Sequence, residues 1–412
     1  MLAATPSMVS GHTEEAQFYG DQIPDPELPW WQVHDWFAGS VAIDGDTAVV
    51  GAAHEGGGNS GVVYVYVRDS FGNWMEQAKI PNPDAVWNFG KSVSVSGDTI
   101  LVTAVDAGDY QGTGNAYIYV RNGVDWSMQA DLSGDSNDLD GFGYTGALHG
   151  NTAVVASWHD DDQGKNAGAA HIFVRNGTIW TREAKLYASD AAPADHFGRA
   201  VDLEGDTLAI NSMLDLNPAG VYAGNAYVFV RQNGIWVQQA KLEASDAAAV
   251  DNFGVTLDIN HKYLAVGAFT NSVPGGQYRG SAYVFKRDKC NWIEQAKLEP
   301  NEVNDYMYFG RDLAIQSNTV IVGAPHDDDL GDSTGAVYVF TRSSQTWSQH
   351  SKILPSDAAA SSTFGISTDL YADKALIGAS LPTQGKVYMY DLDTDNVSSN
   401  PQTKVCFNGC HP

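Results

Sequence analysis

A unit of about fifty residues recurs along this 412-residue chain, and its regular spacing constrains the fold more than any other feature. In one copy, which begins at Trp236 and ends at Arg287, four short runs of β-branched and aromatic residues are bounded by Gly, Asn, Asp or Pro. Such runs are typical of short strands joined by turns. We predict strands at Trp236–Leu242, Phe253–Ile259, Tyr263–Ala268 and Ser281–Lys286.

The unit can be followed along the chain by the phenylalanine that opens its second run. Its copies are about 52 to 56 residues apart, which suits four strands and their turns. The next residue is Gly in every copy but the first, where Ala38 takes its place. The seven phenylalanines are Phe37, Phe89, Phe142, Phe197, Phe253, Phe309 and Phe364.

The closing strand of each unit begins at a tryptophan, and this tryptophan occurs only six times: Trp74, Trp126, Trp180, Trp236, Trp292 and Trp347. The segment from Glu14 to Phe18 resembles the closing strand from Glu294 to Leu298, although it lacks the tryptophan. We interpret it as the seventh closing strand. An N-terminal strand that completes the last unit removes the unpaired edges of a linear array.

These observations predict an all-β chain, a seven-bladed β-propeller of four-stranded antiparallel blades. We expect residues 1–13 to be an N-terminal extension, residues 14–391 to be the propeller and residues 392–412 to be a C-terminal tail. The ring is expected to close through the N-terminal strand in the last blade.

The Phe-Gly pair, the Gly-Ala that follows the next strand and the run Gly335–Phe340 resemble the FG-GAP repeat, the blade unit of integrin α-subunit propellers. The resemblance covers about residues 14 to 391, and it implies the propeller fold and favours a role in adhesion. Integrin-type calcium loops lie between the first and second strands of a blade. Here that connection is a short turn such as Gly45-Asp46-Thr47, so the family's calcium sites do not carry over.

The charge of the chain narrows the range of partners. The formal net charge is −27, with 50 acidic and 23 basic residues. Binding to nucleic acid or to an anionic membrane surface needs clustered Lys and Arg, which are absent here. No apolar run approaches the length that spans a membrane. We therefore expect neither nucleic-acid binding nor membrane insertion. Many acidic residues fall in inter-blade loops and in loops after the second strand, which predicts one negative face.

Oxygen-rich loops suit a hard cation, and calcium is the candidate ion. Three loops contribute the candidate ligands: Asp135, Asn137, Asp138 and Asp140; Asp160, Asp161 and Asp162; and Asp327, Asp328, Asp329 and Asp332. The alternative interpretation is a set of solvated acidic loops. His54, His159 and His326 occupy equivalent positions, but they belong to three different blades, which argues against a zinc site.

The aromatic residues that recur once per unit are predicted to fill the space between neighbouring sheets. Trp30, Trp31, Trp87 and Trp158 depart from the repeat pattern and fall in loops, so they are candidate contacts for a partner, with loop packing as the alternative. Cys406 and Cys410 suggest a small disulfide loop, and Cys290 is interpreted as incidental.

No catalytic triad, phosphate-binding glycine loop or redox cysteine pair is recognisable. We therefore expect a non-catalytic binding or adhesion module, secreted or at the cell surface, that presents its acidic loop face to a protein or glycan. Three alternatives stay open: a structural subunit of an extracellular assembly that packs against copies of itself or other chains, a lectin with repeated inter-blade pockets, and an enzyme of unrecognised type.

Overall fold

The computed structural model describes residues 8–9, 12–20, 36–55, 61–105, 114–134, 140–215, 223–248, 251–271, 278–302, 304–380 and 385–392. These residues form β-strands and turns and contain no helix. Accordingly, the described part of the chain has no helix long and apolar enough to cross a membrane. Among the predicted site residues, five lie outside the described ranges: Trp30, Trp31, Asp135, Asn137 and Asp138.

Seven antiparallel sheets, the blades of a β-propeller, account for all the strands. The chain begins with β1 (Met8–Val9) and β2 (His12–Tyr19), which belong to the seventh sheet. The first blade consists of β3 (Phe37–Asp44), β4 (Thr47–Ala52), β5 (Val62–Arg68) and β6 (Trp74–Pro81). The second consists of β7 (Val93–Ser96), β8 (Thr99–Ala104), β9 (Asn115–Asn122) and β10 (Asp125–Leu132). The third consists of β11 (Phe142–His149), β12 (Thr152–Ser157), β13 (Ala169–Asn176) and β14 (Ile179–Leu186).

The remaining four blades repeat this order from the inner to the outer strand. The fourth consists of β15 (Phe197–Glu204), β16 (Thr207–Ser212), β17 (Asn225–Gln232) and β18 (Ile235–Leu242). The fifth consists of β19 (Leu257–Ile259), β20 (Tyr263–Ala268), β21 (Ser281–Asp288) and β22 (Asn291–Leu298). The sixth consists of β23 (Leu313–Gln316), β24 (Thr319–Ala324), β25 (Ala336–Ser343) and β26 (Thr346–Ile353). The seventh contains β27 (Ser367–Tyr371), β28 (Lys374–Ala379) and β29 (Lys386–Asp391).

The N-terminal strand closes the ring, as the sequence predicts. Strand β2 pairs antiparallel with β29, with Glu14 opposite Tyr390 and Phe18 opposite Val387. The seventh sheet also gains a fifth strand, because β1 pairs with the outer edge of β2. The first and last parts of the chain therefore share one blade.

The residue after the recurring Phe bends the chain at the start of each inner strand. Gly310 has a φ of +84°, and a Cβ there would lie 2.4 Å from the carbonyl oxygen of Ser281. Only Gly tolerates both that conformation and that close approach. In the fifth blade the corresponding bend is at Gly254, whose φ is +90°, and regular pairing with β20 begins only at Leu257, so β19 starts there and not at Phe253 as predicted.

The recurring aromatic residues pack within and between blades. The Phe309 ring meets Tyr338 of its own blade edge-on, at 5.5 Å between centroids. Five outer-strand tryptophans each donate Nε1–H to a Gln or Glu of the preceding blade. These pairs are Trp126–Gln77, Trp180–Gln129, Trp236–Glu183, Trp292–Gln239 and Trp347–Gln295. The structural interpretation of these residues is confirmed.

The cysteine interpretation needs one correction. Cys290, at the turn between β21 and β22, is disulfide-bonded and is not incidental. Cys406 and Cys410, the other two cysteines of the chain, lie outside the described residues.

Candidate functional site in the central channel

The seven inner strands surround a central channel with a volume of about 610 Å³. Each inner strand contributes to its lining the residue that follows the Phe-Gly or Phe-Ala pair. We call these seven residues the mouth ring: Gly39, Lys91, Tyr144, Arg199, Val255, Arg311 and Ile366. They lie where the chain enters each inner strand, so the ring faces the side of the propeller that carries the inter-blade loops.

Three cations from alternate blades converge at the mouth ring. Lys91, Arg199 and Arg311 form no ion pair within the described part of the chain, although the protein has 50 acidic residues and only 23 basic ones. Asp312 is adjacent to Arg311, but its carboxylate accepts hydrogen bonds from Thr256 Oγ1 at 2.9 Å and from the Thr368 amide at 2.6 Å. The mouth therefore carries positive charge that the channel does not neutralise.

Each cation instead lies over an aromatic ring, which attracts it through the ring's quadrupole. The nearest centroids are 5.3 Å from Lys91 Nζ (Tyr144), 5.7 Å from Arg199 Cζ (Trp158) and 5.6 Å from Arg311 Cζ (Phe269). Lys91 Nζ is also 5.5 Å from the centroid of Trp36.

These four aromatic rings and Tyr308, whose ring centroid is 5.5 Å from that of Phe269, form an aromatic rim, which we define as Trp36, Tyr144, Trp158, Phe269 and Tyr308. The repeat places them there. Trp158 and Phe269 occupy equivalent positions, each being the first residue after the second strand of its blade. Trp36 precedes the first Phe, stacks on His54 at 4.6 Å and is 39% exposed. Tyr144 and Trp158 are in contact, with centroids 4.7 Å apart.

The pKa values at the mouth reflect its positive field. Burial lowers the pKa of Lys91, and repulsion from Arg311 and Arg199 lowers it further, against an opposing effect of Tyr144. Burial acts to raise the pKa of Tyr144, but the charges of Lys91 and Arg199 outweigh burial and lower it. The three cations are thus close enough to repel one another.

Three carboxylates deeper in the channel, together with Asp312 next to Arg311, form what we call the acidic layer: Asp202, Asp258, Asp312 and Asp369. Each accepts the backbone N–H of the next blade's inner strand. The donors are Ile259 to Asp202 (2.8 Å), Ile315 to Asp258 (2.6 Å), Thr368 to Asp312 (2.6 Å) and Ile43 to Asp369 (2.7 Å). Ser40 and Ser94 do the same for Val93 and Leu148. These side chains provide hydrogen-bond acceptors for backbone N–H groups at the open edges of the inner strands, which have no neighbouring strand on that side.

The acidic layer binds protons more readily than ordinary carboxylates do. Burial raises the pKa of Asp312 to about 6 and that of Asp369 to about 7. Burial also raises the pKa of Asp258 well above its usual range, and the charge of Asp202 adds to this effect. Because like charges and burial both disfavour the ionised forms, this layer carries less negative charge near neutral pH than its composition implies.

The predicted calcium ligands lie away from the channel, and lysines from the outer strands neutralise several of them. Asp327 is fully buried and accepts hydrogen bonds from Tyr338 Oη at 2.7 Å and Lys352 Nζ at 3.0 Å. Lys352 also bonds Asp329, and Lys185 likewise bonds Asp160 and Asp162.

The other described carboxylates of these loops serve local turns. Asp161 and Asp328 accept the amides of Asn166 and Ser333, and Asp332 accepts from Ser333 Oγ. Asp140 is buried, and its carbonyl accepts the His159 amide. No group of three or more His, Cys, Asp or Glu among the described residues is placed to hold a metal ion. Calcium binding stays a prediction.

The structure separates the two described tryptophans that the sequence predicts as partner contacts. Trp158 belongs to the aromatic rim, whereas Trp87 is 37% exposed in the loop between β6 and β7, outside the channel lining. Sequence reasoning missed Lys91, Arg199 and Arg311. The signal was present, since each follows a Phe-Gly pair at the start of an inner strand.

Comparison with known proteins identifies the repeat. The FG-GAP repeat pattern matches residues 32–66, 74–119, 126–173, 180–229, 236–285, 292–340 and 347–390. A comparison with curated proteins found no match. FG-GAP propellers are generally non-catalytic and suggest binding or adhesion, and the repeats are typical of extracellular or surface proteins. With seven matches that cover most of its length, this chain belongs to the FG-GAP repeat family.

Proposed function

We propose that this protein is a non-catalytic binding module, secreted or displayed at the cell surface, that holds a protein or glycan partner at its loop-rich face. One observation carries the proposal: three cations that form no ion pair with any described residue converge with the aromatic rim at the centre of that face. Concave sites that combine aromatic side chains with a few convergent polar groups are typical of ligand binding.

The channel carboxylates support binding over catalysis. Perturbed carboxyl groups in a cavity often indicate an acid or base of an enzyme. Here the hydrogen bonds from Ile259, Ile315, Thr368 and Ile43 give each carboxylate of the acidic layer a structural role. Outside the mouth, exposed carboxylates such as Asp161, Asp328 and Asp332 belong to the same loop-rich face. A partner would therefore meet a negative surface with a positive centre.

Probe arrays of extracellular proteins and glycans test this function. The wild-type protein is compared with a Trp36→Ala/Trp158→Ala variant and with Tyr371→Ala. Tyr371 is an aromatic residue about as exposed as Trp36 (38% against 39%), and it is the last residue of β27, on the opposite face. We expect the double variant to bind at least about tenfold more weakly to the array protein or glycan that binds the wild type, and the control to bind it with unchanged affinity. The proposal fails if the wild-type protein binds no probe on either array, or if only Tyr371→Ala loses binding.

A second candidate function, self-association in an assembly, has its own observation. Exposed apolar side chains recur at the turns between the third and fourth strands of the first four blades: Phe71 (89%), Val124 (67%), Ile179 (66%) and Ile235 (67%). An apolar surface of this kind is a candidate contact between copies. Sedimentation velocity over a range of protein concentrations tests it, with Ile179→Ser/Ile235→Ser as the variant expected to stay monomeric.

Calcium binding at the loop Asp327–Asp329 can be tested separately. A bound ion would have to compete with Lys352, which bonds two of these carboxylates. A calcium-dependent rise in Tm that EDTA reverses, at constant ionic strength, would support specific sites in the native state. An unchanged Tm would contradict the prediction.

A further inference from the structure

We propose that the channel mouth binds an acidic sugar unit, with its carboxylate held between Lys91, Arg199 and Arg311 and its hydroxyls along the channel wall. This inference rests on the proposed binding function and names the class of partner that the site takes. It follows from the order of charge, aromatic surface and hydroxyl groups along the channel.

The first step concerns charge. Buried or partly buried cations without a counterion are unfavourable, and the three at the mouth, which form no ion pair within the described residues, repel one another. Elsewhere in this acidic chain the lysines near the ends of outer strands are paired, as Lys185 is with Asp160 and Lys352 with Asp327. An anion that enters the mouth would supply the missing counterion. Two guanidinium groups suit an oxyanion, because each can donate two parallel hydrogen bonds to it.

The second step concerns the wall below the mouth ring. Ser40, Ser94 and Thr145 line the channel with hydroxyl groups, whereas the hydroxyls of Ser92 and Thr256, which also line it, already donate to the Gly146 carbonyl and to Asp312. Ser40 and Ser94 accept backbone N–H groups from the next blade, and a hydroxyl that accepts one hydrogen bond retains its own proton to donate. This wall therefore offers donors to a ligand rich in hydroxyl groups. An acidic peptide would offer few hydroxyls to this wall.

The third step concerns the acidic layer. Asp202, Asp258 and Asp369 lie three residues beyond the mouth ring on their strands, about 10 Å further along the channel at 3.3 Å per residue. Their carboxyl groups can accept hydrogen bonds from sugar hydroxyls, and their charge disfavours a second anionic group at that depth. The channel thus matches a ligand that is anionic at one end and hydroxylated at the other.

The size of the cavity agrees with such a ligand. A volume of about 610 Å³ lies within the range of small-ligand sites, and Trp36 keeps an exposed ring surface at the entrance. A free acidic monosaccharide and the terminal unit of an acidic glycan present the same chemistry to the mouth.

Isothermal titration calorimetry on the full chain provides the test. The probes are D-glucuronate, D-glucose and inorganic sulfate at constant ionic strength. Glucuronate and glucose have the same ring, but glucuronate has a carboxylate where glucose has a hydroxymethyl group. We expect glucuronate to bind at least about tenfold more tightly than either other probe, since only it has both the charge and the hydroxyls. A polymer of glucuronate-terminated glycans added as competitor then distinguishes a chain end from a free sugar.

Variants connect the binding to the mouth. Lys91→Met and Arg311→Met should each weaken glucuronate binding by about tenfold or more. Lys165→Met removes an exposed lysine from the same face outside the channel and should change nothing. Thermal unfolding shows that each variant is folded. Removal of one of three mutually repelling cations should leave Tm equal to or higher than that of the wild type.

Three outcomes overturn the inference. Glucuronate binds no better than glucose, sulfate binds as tightly as glucuronate, or Lys165→Met loses as much affinity as Lys91→Met. If glucuronate fails while rim-dependent binding persists on the probe arrays, the proposed binding function stands and only the acidic-sugar assignment is wrong.

Discussion

At the scale of single residues, position decides what the charged side chains do. Aspartates of the acidic layer and aspartates of the outer loops have the same chemistry but opposite surroundings. Asp369 accepts hydrogen bonds from the backbone amides of Ile43 and Leu370, and burial raises its pKa to about 7. Burial also acts to raise the pKa of Asp246, but the hydrogen bonds from Lys297 and Tyr283, together with the charge of Lys297, outweigh burial and lower the pKa.

The buried carboxyl group of Asp369 should make stability depend on pH. Its pKa is about 7 in the folded protein against 3.8 for the free side chain, so the folded state binds the proton more tightly. The stabilisation is complete below the lower value and is lost as pH rises through about 7. Asn at this position still accepts from Ile43 and cannot ionise. We therefore expect Tm to fall less steeply between about pH 5 and 8 in Asp369→Asn than in the wild type.

Asp246→Asn is the matched control for this experiment, because its pKa is shifted in the opposite direction. It should not flatten the pH dependence of Tm. Equal slopes in wild type and Asp369→Asn would show that the channel carboxyl does not titrate in this range.

At the scale of elements, β2 is the strand on which ring closure depends. It completes the seventh blade by pairing with β29, and Phe18 stacks on Tyr66 of the first blade at 4.2 Å. At this seam Trp74 Nε1 has no hydrogen-bond partner among the described residues, unlike the five tryptophans that donate to the preceding blade. At this seam the packing of Phe18 against Tyr66 and Trp74 takes the place of that hydrogen bond.

Phe18→Ala should destabilise the propeller substantially. The side chain is only 4% exposed, and truncation of a buried Phe typically costs about 3–5 kcal/mol through lost burial and the remaining cavity. Denaturant unfolding measures the loss. Thr13→Ala on the same strand, at a partly exposed position, is the control and should cost less than about 1 kcal/mol. A similar small cost for both variants would mean that β2 does not hold the ring closed.

At the scale of the whole molecule, charge repulsion opposes the compact state. The net charge of −27 is distributed over a chain with only 23 basic residues. Lysine–carboxylate pairs such as Lys241–Asp190 and Lys297–Asp246 offset part of this repulsion, but exposed pairs contribute about 0–1 kcal/mol each. Long-range repulsion among the excess acids should therefore dominate the response to salt.

We expect Tm to rise when NaCl is increased from about 0.02 M to about 0.5 M, because screening shortens the range of repulsion. Differential scanning fluorimetry measures the change, with an uncharged osmolyte at equal osmolarity as the control. A decrease in Tm would indicate that the ion pairs outweigh the net charge.

The sequence by itself determined the repeat, the number of blades and the closing strand. A period of about fifty residues and the alternation within each run are local properties, so they are readable without a structure. It also placed Trp158 among the candidate contacts, because that residue departs from the repeat.

Only the tertiary structure decided where the candidate site lies. Lys91, Arg199 and Arg311 follow one another at intervals of about a hundred residues in the chain. They meet because ring closure brings the start of every inner strand to one axis. Ring closure also decides which aspartates accept backbone hydrogen bonds from the next blade and which pair with lysines. The sequence does not distinguish the two groups, because both contain the same residue type. Whether a charge is neutralised depends on which blades face one another, and that relation exists only after the ring has closed.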